Sequence, residues 1–265
     1  MQPSTRVVVV TGSSSGIGQQ TALEFASQSC AIVLHGRASL ALLQSTAIEL
    51  RRAGATDVLC VVADIADIAA CRDLVQCAFA WRGHVDVWVN NAGVDVLTRD
   101  IGLGFDARLR KLLDVDVSGT LRVSRLVTAR WLLDRRHQCA ANQPCLVNMG
   151  WDQALLGMEG EAGQLFCTSK GAVMAFTQAL AMSCGPHLRV NCVAPGWIKT
   201  AWGEQAASEY WETRATLESL QERWGTPQDV AKAIAWLCSP AAQFINGQIL
   251  NVNGGRRFYG RSSVQ

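Results

Sequence analysis

The first chemical signal is the run Thr11-Gly12-Ser13-Ser14-Ser15-Gly16-Ile17-Gly18, which follows an apolar stretch and opens a helical pattern. Its three glycines let the backbone turn tightly and approach a pyrophosphate, while the helix start offers free amide donors. A purely structural strand–helix turn could use the same glycines; placement after the first strand favours phosphate binding. Ten cysteines form no Cys-x-x-Cys pair, and no His stands at zinc-finger spacing. Most sit in apolar runs, such as Cys60 in VLCVVAD and Cys192 in RVNCVAP, which predicts buried reduced thiols and no metal.

The elements that must position this turn read clearly. Short β-branched runs at 6–11, 31–35, 57–63, 85–90, 144–149, 188–193 and 248–252 read as strands. Between them, 3.6-period patterns near 17–28, 38–53, 67–82, 105–135, 165–183 and 227–238 read as helices. Strands that are apolar throughout are covered on both faces, so the alternation predicts an α/β fold, a doubly wound parallel sheet of seven strands with helices on both sides. Ligands of such sheets sit at the carboxyl ends of the strands. Residues 134–144 read as an exposed loop. Residues 197–224, after Pro195-Gly196, read as a helical lid within a single domain spanning 1–265.

Composition narrows the class. Lys and Arg number 24 against 22 Asp and Glu, a net charge of +2 without a basic run, so nucleic acid is excluded as a partner. The longest aliphatic stretch near the start, Val7 to Val10, is too short for a membrane span or a signal core. The expectation is a soluble, cytoplasmic protein with no membrane partner.

An ordered set of motifs then resembles the short-chain dehydrogenase/reductase family over almost the whole chain, and its 3-oxoacyl-carrier-protein reductases in particular. After the glycine turn come Asp64, Asn90-Asn91-Ala92-Gly93, Lys170 in CTSKGAV, Pro195-Gly196-Trp197-Ile198-Lys199-Thr200, Arg223-Trp224-Gly225-Thr226-Pro227 and Asn253-Gly254-Gly255. The resemblance implies a Rossmann-type domain that binds a nicotinamide dinucleotide. It places Gly12, Ser14, Ser15, Gly16, Ile17 and Gly18 on the pyrophosphate, Asp64 and Ile65 beside the adenine, and Asn91, Ala92 and Gly93 on the ribose side. Ile198 and Thr200 fall to the nicotinamide carboxamide and Lys170 to its ribose, with Pro195 and Gly196 also at the cofactor. Asp64 could also be a plain helix cap. The second strand ends in His35-Gly36-Arg37, with no acid to bind the two ribose hydroxyls of NAD. A guanidinium can pair with a 2′-phosphate that a carboxylate would repel, so NADP(H) is expected over NAD(H), with Arg37 on the phosphate; a lone exposed arginine is the alternative.

The catalytic set implied by the family is degenerate here. The general-acid tyrosine belongs four residues before the lysine, where this chain has Phe166, and its only tyrosines are Tyr210 and Tyr259. The substrate-polarising serine position falls on Trp151, or on Gln153 by the usual spacing back from Phe166. Asp116 takes the place of the relay asparagine and is expected near Lys170. Asp152, beside the old serine position, is either a substitute acid with a raised pKa or a loop aspartate. Two functions stay open: an NADP(H)-dependent oxidoreductase with an atypical site that acts on an apolar or planar carbonyl or alcohol, or a catalytically silent NADP(H)-binding sensor or scaffold. Trp151, Trp197, Trp202 and Trp211, with Leu155, Leu156, Met158 and Phe166, fall where relatives line the substrate cleft. They suit a small apolar or aromatic ligand, unless they are ordinary lid packing. By resemblance the chain forms a homodimer or homotetramer through the helices near 105–135 and 165–183.

Overall fold

The structure, a computed structural model, describes residues 5–96, 102–134, 143–200 and 209–257. Trp202, Tyr259, Cys139 and most of the 134–144 segment lie outside the described residues. Seven strands, β1 (Val7–Val10), β2 (Ala31–Gly36), β3 (Asp57–Val62), β4 (Val87–Asn90), β5 (Cys145–Met149), β6 (Arg189–Pro195) and β7 (Ile249–Val252), form one parallel sheet. Their order is β3-β2-β1-β4-β5-β6-β7. The chain leaves β1 toward β2 and later returns to β1's other side as β4, so the order reverses there and opens a crevice at the carboxyl ends.

Alternate residues of each strand serve two cores. Val8 and Val10 pack with Phe25, Leu34 and Leu43, joined by α1 (Gly16–Ala26) and α2 (Leu40–Ala53). Val7 and Val9 pack with Leu74 of α3 (Ile68–Arg82) and with Val127 and Trp131, on the opposite face. All four β1 valines are therefore buried, and the unbroken apolar run follows from it.

The helical stretch expected at 105–135 is interrupted. It is α4 (Phe105–Leu112), a π turn at Leu113–Gly119, and α5 (Thr120–Leu133). Within the π turn Asp116 is buried and bonded outside its own helix, an arrangement that wide turns of this kind often serve. The next helix, α6 (Gly160–Cys184), starts five residues before the expected 165. Beyond β6 come α7 (Glu209–Glu218), within the expected lid, and α8 (Pro227–Leu237), which Thr226 and Asp229 close at its start with a capping box. Among the described residues no helix is long and apolar enough to cross a membrane.

A buried polar chain ties the crevice to its supports. Asn90 donates through Nδ2 to Ser124 Oγ of α5 and to Asn148 Oδ1 of β5, both at 2.9 Å. Asn148 donates in turn to Thr177 Oγ1 of α6 at 3.0 Å, and Trp88 Nε1 donates to Asn90 Oδ1 at 2.9 Å. Satisfied networks of this kind fix one arrangement; a broken one leaves dry donors orphaned. Asn148→Ala should therefore lower unfolding free energy by about 1–3 kcal/mol, read as a lower urea midpoint at unchanged slope.

Candidate functional site

At the end of β1 the chain comes too close to β4's exit for side chains. Gly12 has φ +63°, and a Cβ there would meet Ala92 Cα at 2.8 Å. A Cβ on Gly18 would lie 2.2 Å from the Gly12 carbonyl oxygen and 2.4 Å from Asn91 Nδ2. The contact is hydrogen-bonded throughout: Asn91 Nδ2 donates to the Thr11 and Gly12 carbonyls at 3.1 and 3.0 Å, and the Asn91 and Ala92 amides donate to Thr11 Oγ1 at 3.0 Å. Ser15 stands at the N-cap of α1 without a side-chain cap bond, so its hydroxyl and the first-turn amides are left for a ligand. Ser14, Gly16 and Ile17 complete the turn, and Thr200 reaches it from across the crevice, its Cγ2 being 3.8 Å from where a Gly16 Cβ would be. A cradle that any Cβ would fill, at a helix start, fits a dinucleotide pyrophosphate.

Beside the cradle, His35 is buried and Arg37 exposed. Asp64 is exposed and accepts from the Ala66 amide at 3.0 Å, while Ile65 is buried against Gly119. The cap of α3 is Asp67, accepting from Ala70 N at 2.7 Å, so Asp64 is not the helix cap. Gly93 lies against Asp116, whose Oδ2 would be 2.9 Å from a Cβ there. Pro195 ends β6, the Gly196 amide donates to Val252 O at 3.1 Å, and Ile198 pairs with Gly225 as an isolated bridge.

The reacting corner is different in kind. Lys170 Nζ is 2.8 Å from Asp116 Oδ2, with side chains 15% and 1% exposed, and Asp116 Oδ1 accepts from Val94 N at 2.9 Å. Trp151 and Phe166 meet edge to face, ring centroids 6.0 Å apart and planes at 64°. Phe166 also packs against Val96, Leu112 and Leu165. Gly150 and Asp152 continue the β5 pairing through their amides to Val193 and Pro195, so Trp151 follows the strand directly and it is Trp151 that meets Phe166. Gln153 is buried one turn on, its carbonyl accepting from Cys167 Sγ at 3.5 Å.

Asp152 is buried behind this corner. Its Oδ2 accepts from Asn253 Nδ2 at 3.0 Å, its Oδ1 has no partner among the described residues, and it lines a small cavity with Trp197, Glu218 and Arg256. Burial raises its pKa, against the Asn253 hydrogen bond and the Arg256 charge. Trp197 Nε1 donates to Glu218 Oε2 at 2.9 Å. Arg214 of α7 lies over the Trp197 and Trp211 rings, pairs with Glu218, and also pairs with Glu159 in the loop before α6. This clamp escapes a sequence reading, because Glu159 and Arg214 are 55 residues apart in chain order and neither belongs to a motif.

The sheet order, the glycine cradle at its switch point and the paired lysine define a dinucleotide-binding α/β protein. A family model described as enoyl-(acyl carrier protein) reductase matches residues 12–257. The 3-oxoacyl-[acyl-carrier-protein] reductase FabG of Thermotoga maritima is 30% identical over 260-odd residues, covering 96% of this chain and 99% of its own. The peroxisomal 2,4-dienoyl-CoA reductase of Pongo abelii is 33% identical over 260 residues, 94% of this chain and 83% of its own. A short-chain dehydrogenase from Burkholderia cenocepacia, solved in complex with NADP, superposes with a TM-score of 0.80 at 26% identity, covering 95% and 97% of the two chains. This chain belongs to the short-chain dehydrogenase/reductase family.

The buried carboxyl gives a signed pH effect. Because the folded pKa of Asp152 is raised above its ordinary 3.8, the folded state holds the proton more tightly, a contribution present below 3.8 and lost as pH rises through the folded value. Asp152→Asn should therefore improve in stability relative to the native protein as pH rises from about 3 toward 7. Thermal unfolding of both proteins across that range checks it, and a constant difference would contradict it.

Proposed function

We propose that this protein binds NADP(H) and reduces a carbon–carbon double bond conjugated to a carbonyl, in an apolar, planar enoyl or dienoyl thioester. The observation that carries the reading is the Trp151–Phe166 pair, standing where the family has two hydroxyls, beside a complete cofactor cradle. Gly12 through Gly18 would hold the pyrophosphate, Arg37 the 2′-phosphate, Asn91 to Gly93 and Lys170 the riboses, and Ile198 and Thr200 the nicotinamide carboxamide. The reduced nicotinamide, when bound, supplies a hydride.

The residues decide which acceptor suits that hydride. Reducing a ketone concentrates negative charge on one oxygen, which needs a positioned acid or oxyanion donors. Phenyl and indole rings at these positions supply neither hydroxyl. Conjugate addition breaks the C=C π bond at the carbon that receives the hydride and spreads the charge into an enolate, which takes its proton on carbon from water. Trp151 and Phe166 present flat apolar surface to such a chain, and we read α7, tied by Arg214 to Glu159 before α6, as part of a lid. The description of the matching family model and the likeness to the dienoyl-CoA reductase support the same substrate class. Asp116 offsets the Lys170 charge, leaving the lysine to hold the ribose. We read the active form as a homodimer or homotetramer built on the helices of α4–α6.

NADPH consumption by the purified protein tests the reading. Unsaturated thioesters should be reduced, and 3-oxoacyl thioesters, quinones and simple ketones should not. Phe166→Tyr with Trp151→Ser should raise ketone reduction. NADPH binding with no turnover of any unsaturated thioester would instead favour the silent sensor, a reading that the Lys170–Asp116 pair and the missing acid also permit. For the cofactor itself, Arg37→Ala should weaken NADPH by about 1.5–3 kcal/mol, the scale of a charged hydrogen bond, and leave NADH nearly unchanged. Equal affinity of the native protein for both nucleotides, by fluorescence titration, would refute the preference.

A further inference from the structure

His35, next to last in β2, is bonded to the glycine turn, and the cofactor reading gives it no role. Only 2% of it is exposed. The Gly12 amide donates to His35 Nδ1 at 3.2 Å, so the ring must carry its proton on Nε2, which donates to the Ala63 carbonyl at 2.9 Å. Ser13 clasps the same residue from the other side: its Oγ accepts from the His35 amide at 3.0 Å and donates to the His35 carbonyl at 3.3 Å, which also receives the Ser13 amide at 2.9 Å. One neutral imidazole thus spans from the turn after β1 to the exit of β3, and two consecutive turn residues hang on it.

We propose that His35 is a positioning residue for the dinucleotide: its neutral ring holds the Gly12–Ser13 turn in the shape that receives the pyrophosphate, and protonation of the ring releases that turn. The inference rests on the cofactor reading above. An imidazolium would point an Nδ1–H at the Gly12 N–H, two donors face to face in a part-buried contact. The contact must then break, and the Gly12 amide loses its acceptor.

Neighbouring charge does not prevent this. The turn contributes glycine and serine, and the α2 residue packed against Gly36 is Leu43, so both are uncharged. From β3's exit Asp64 favours the imidazolium, and so does the Ala63 carbonyl; burial outweighs both and lowers the His35 pKa below its ordinary 6.5. A pyrophosphate held at the turn would favour the imidazolium as Asp64 does, and the loss of the Gly12 contact opposes it. Neutral at pH 7, His35 releases the turn only as pH falls below that ordinary value.

The test is NADPH affinity by fluorescence titration from about pH 8 down to about pH 5, in the native protein, His35→Asn and His35→Leu. Asparagine keeps an acceptor near the Nδ1 position and does not titrate; leucine has no acceptor. The native protein should match His35→Asn near pH 8, then lose affinity below it by up to about tenfold per pH unit under the imidazole pKa, the limit for one linked proton. The 2′-phosphate titrates in both proteins, so the difference between them isolates His35. His35→Leu should bind weakly at every pH. Without nucleotide, the Gly12 amide resonance should titrate in the native protein and not in His35→Asn. Identical pH profiles for native and His35→Asn would overturn the proposal and leave the cofactor reading standing. No NADPH binding by the native protein near pH 8 would remove that reading and this proposal with it.

Discussion

Everything at this site depends on one close contact, where the turn after β1 is pressed against the exit of β4. No Cβ fits at Gly12 or Gly18, and Thr11 and Asn91 exchange hydrogen bonds across the gap with each other's backbone. That contact requires β1 and β4 to be neighbours, which the sheet order provides at its reversal point. It also brings the free amides of α1 to the crevice, within reach of Thr200 from the β6 side. The Asn90–Asn148 chain behind it keeps β4 and β5 level, so that Asn91 and Trp151 emerge beside one another's crevice walls.

The reacting corner follows from a second constraint, the cost of buried charge. Asp116 is almost wholly enclosed, and an isolated carboxylate there would be strongly disfavoured. Lys170 at 2.8 Å and the Val94 amide satisfy its two oxygens. Removing one partner of such a pair commonly costs about 3–5 kcal/mol, whereas the intact pair adds little net stability. Lysine and aspartate are therefore coupled choices. A neutral residue at 116 would leave Lys170 with its full positive field, the field a tyrosine acid exploits. In the proposed reading Phe166 takes the place of that acid, and nothing at the corner then needs the field.

Much of this could be read from residue order because the relevant signals are local. The glycine turn is contiguous, and valine runs with no polar alternation report burial on both faces. Element ends at β1, β2 and β3 fall within a residue or so of the expected ones for the same reason. What stayed hidden is set by tertiary partners. The π turn at 113–119 exists where Asp116 turns inward to Lys170, 54 residues further on, and the helical periodicity around it carries no trace of that. In the sequence Asp152 reads as a loop aspartate as readily as an acid or more so, because only the fold shows Asn253 holding one oxygen and no partner for the other among the described residues. His35 looks like one more residue of an apolar strand; its two ring bonds go to residues 12 and 63, from the strands on either side.

The two halves of the site are built from different materials, and this explains how one can change without the other. The cofactor half turns on backbone against backbone at Gly12 and Gly18, where any added Cβ collides with the main chain. The chemical half is made of side chains projecting from α6 and the end of β5. Phenylalanine at 166 keeps the ring that packs on Val96, Leu112 and Leu165, and discards only a hydroxyl. Volume-conserving changes of that kind are the ones packed interiors tolerate best. Tryptophan at 151 meets that ring edge to face, an aromatic contact worth about 0.5–1.5 kcal/mol beyond its buried area. The proposed function rests on that separation: the cradle that would hold the dinucleotide is independent of the side chains at 151 and 166, so an apolar surface there leaves it intact.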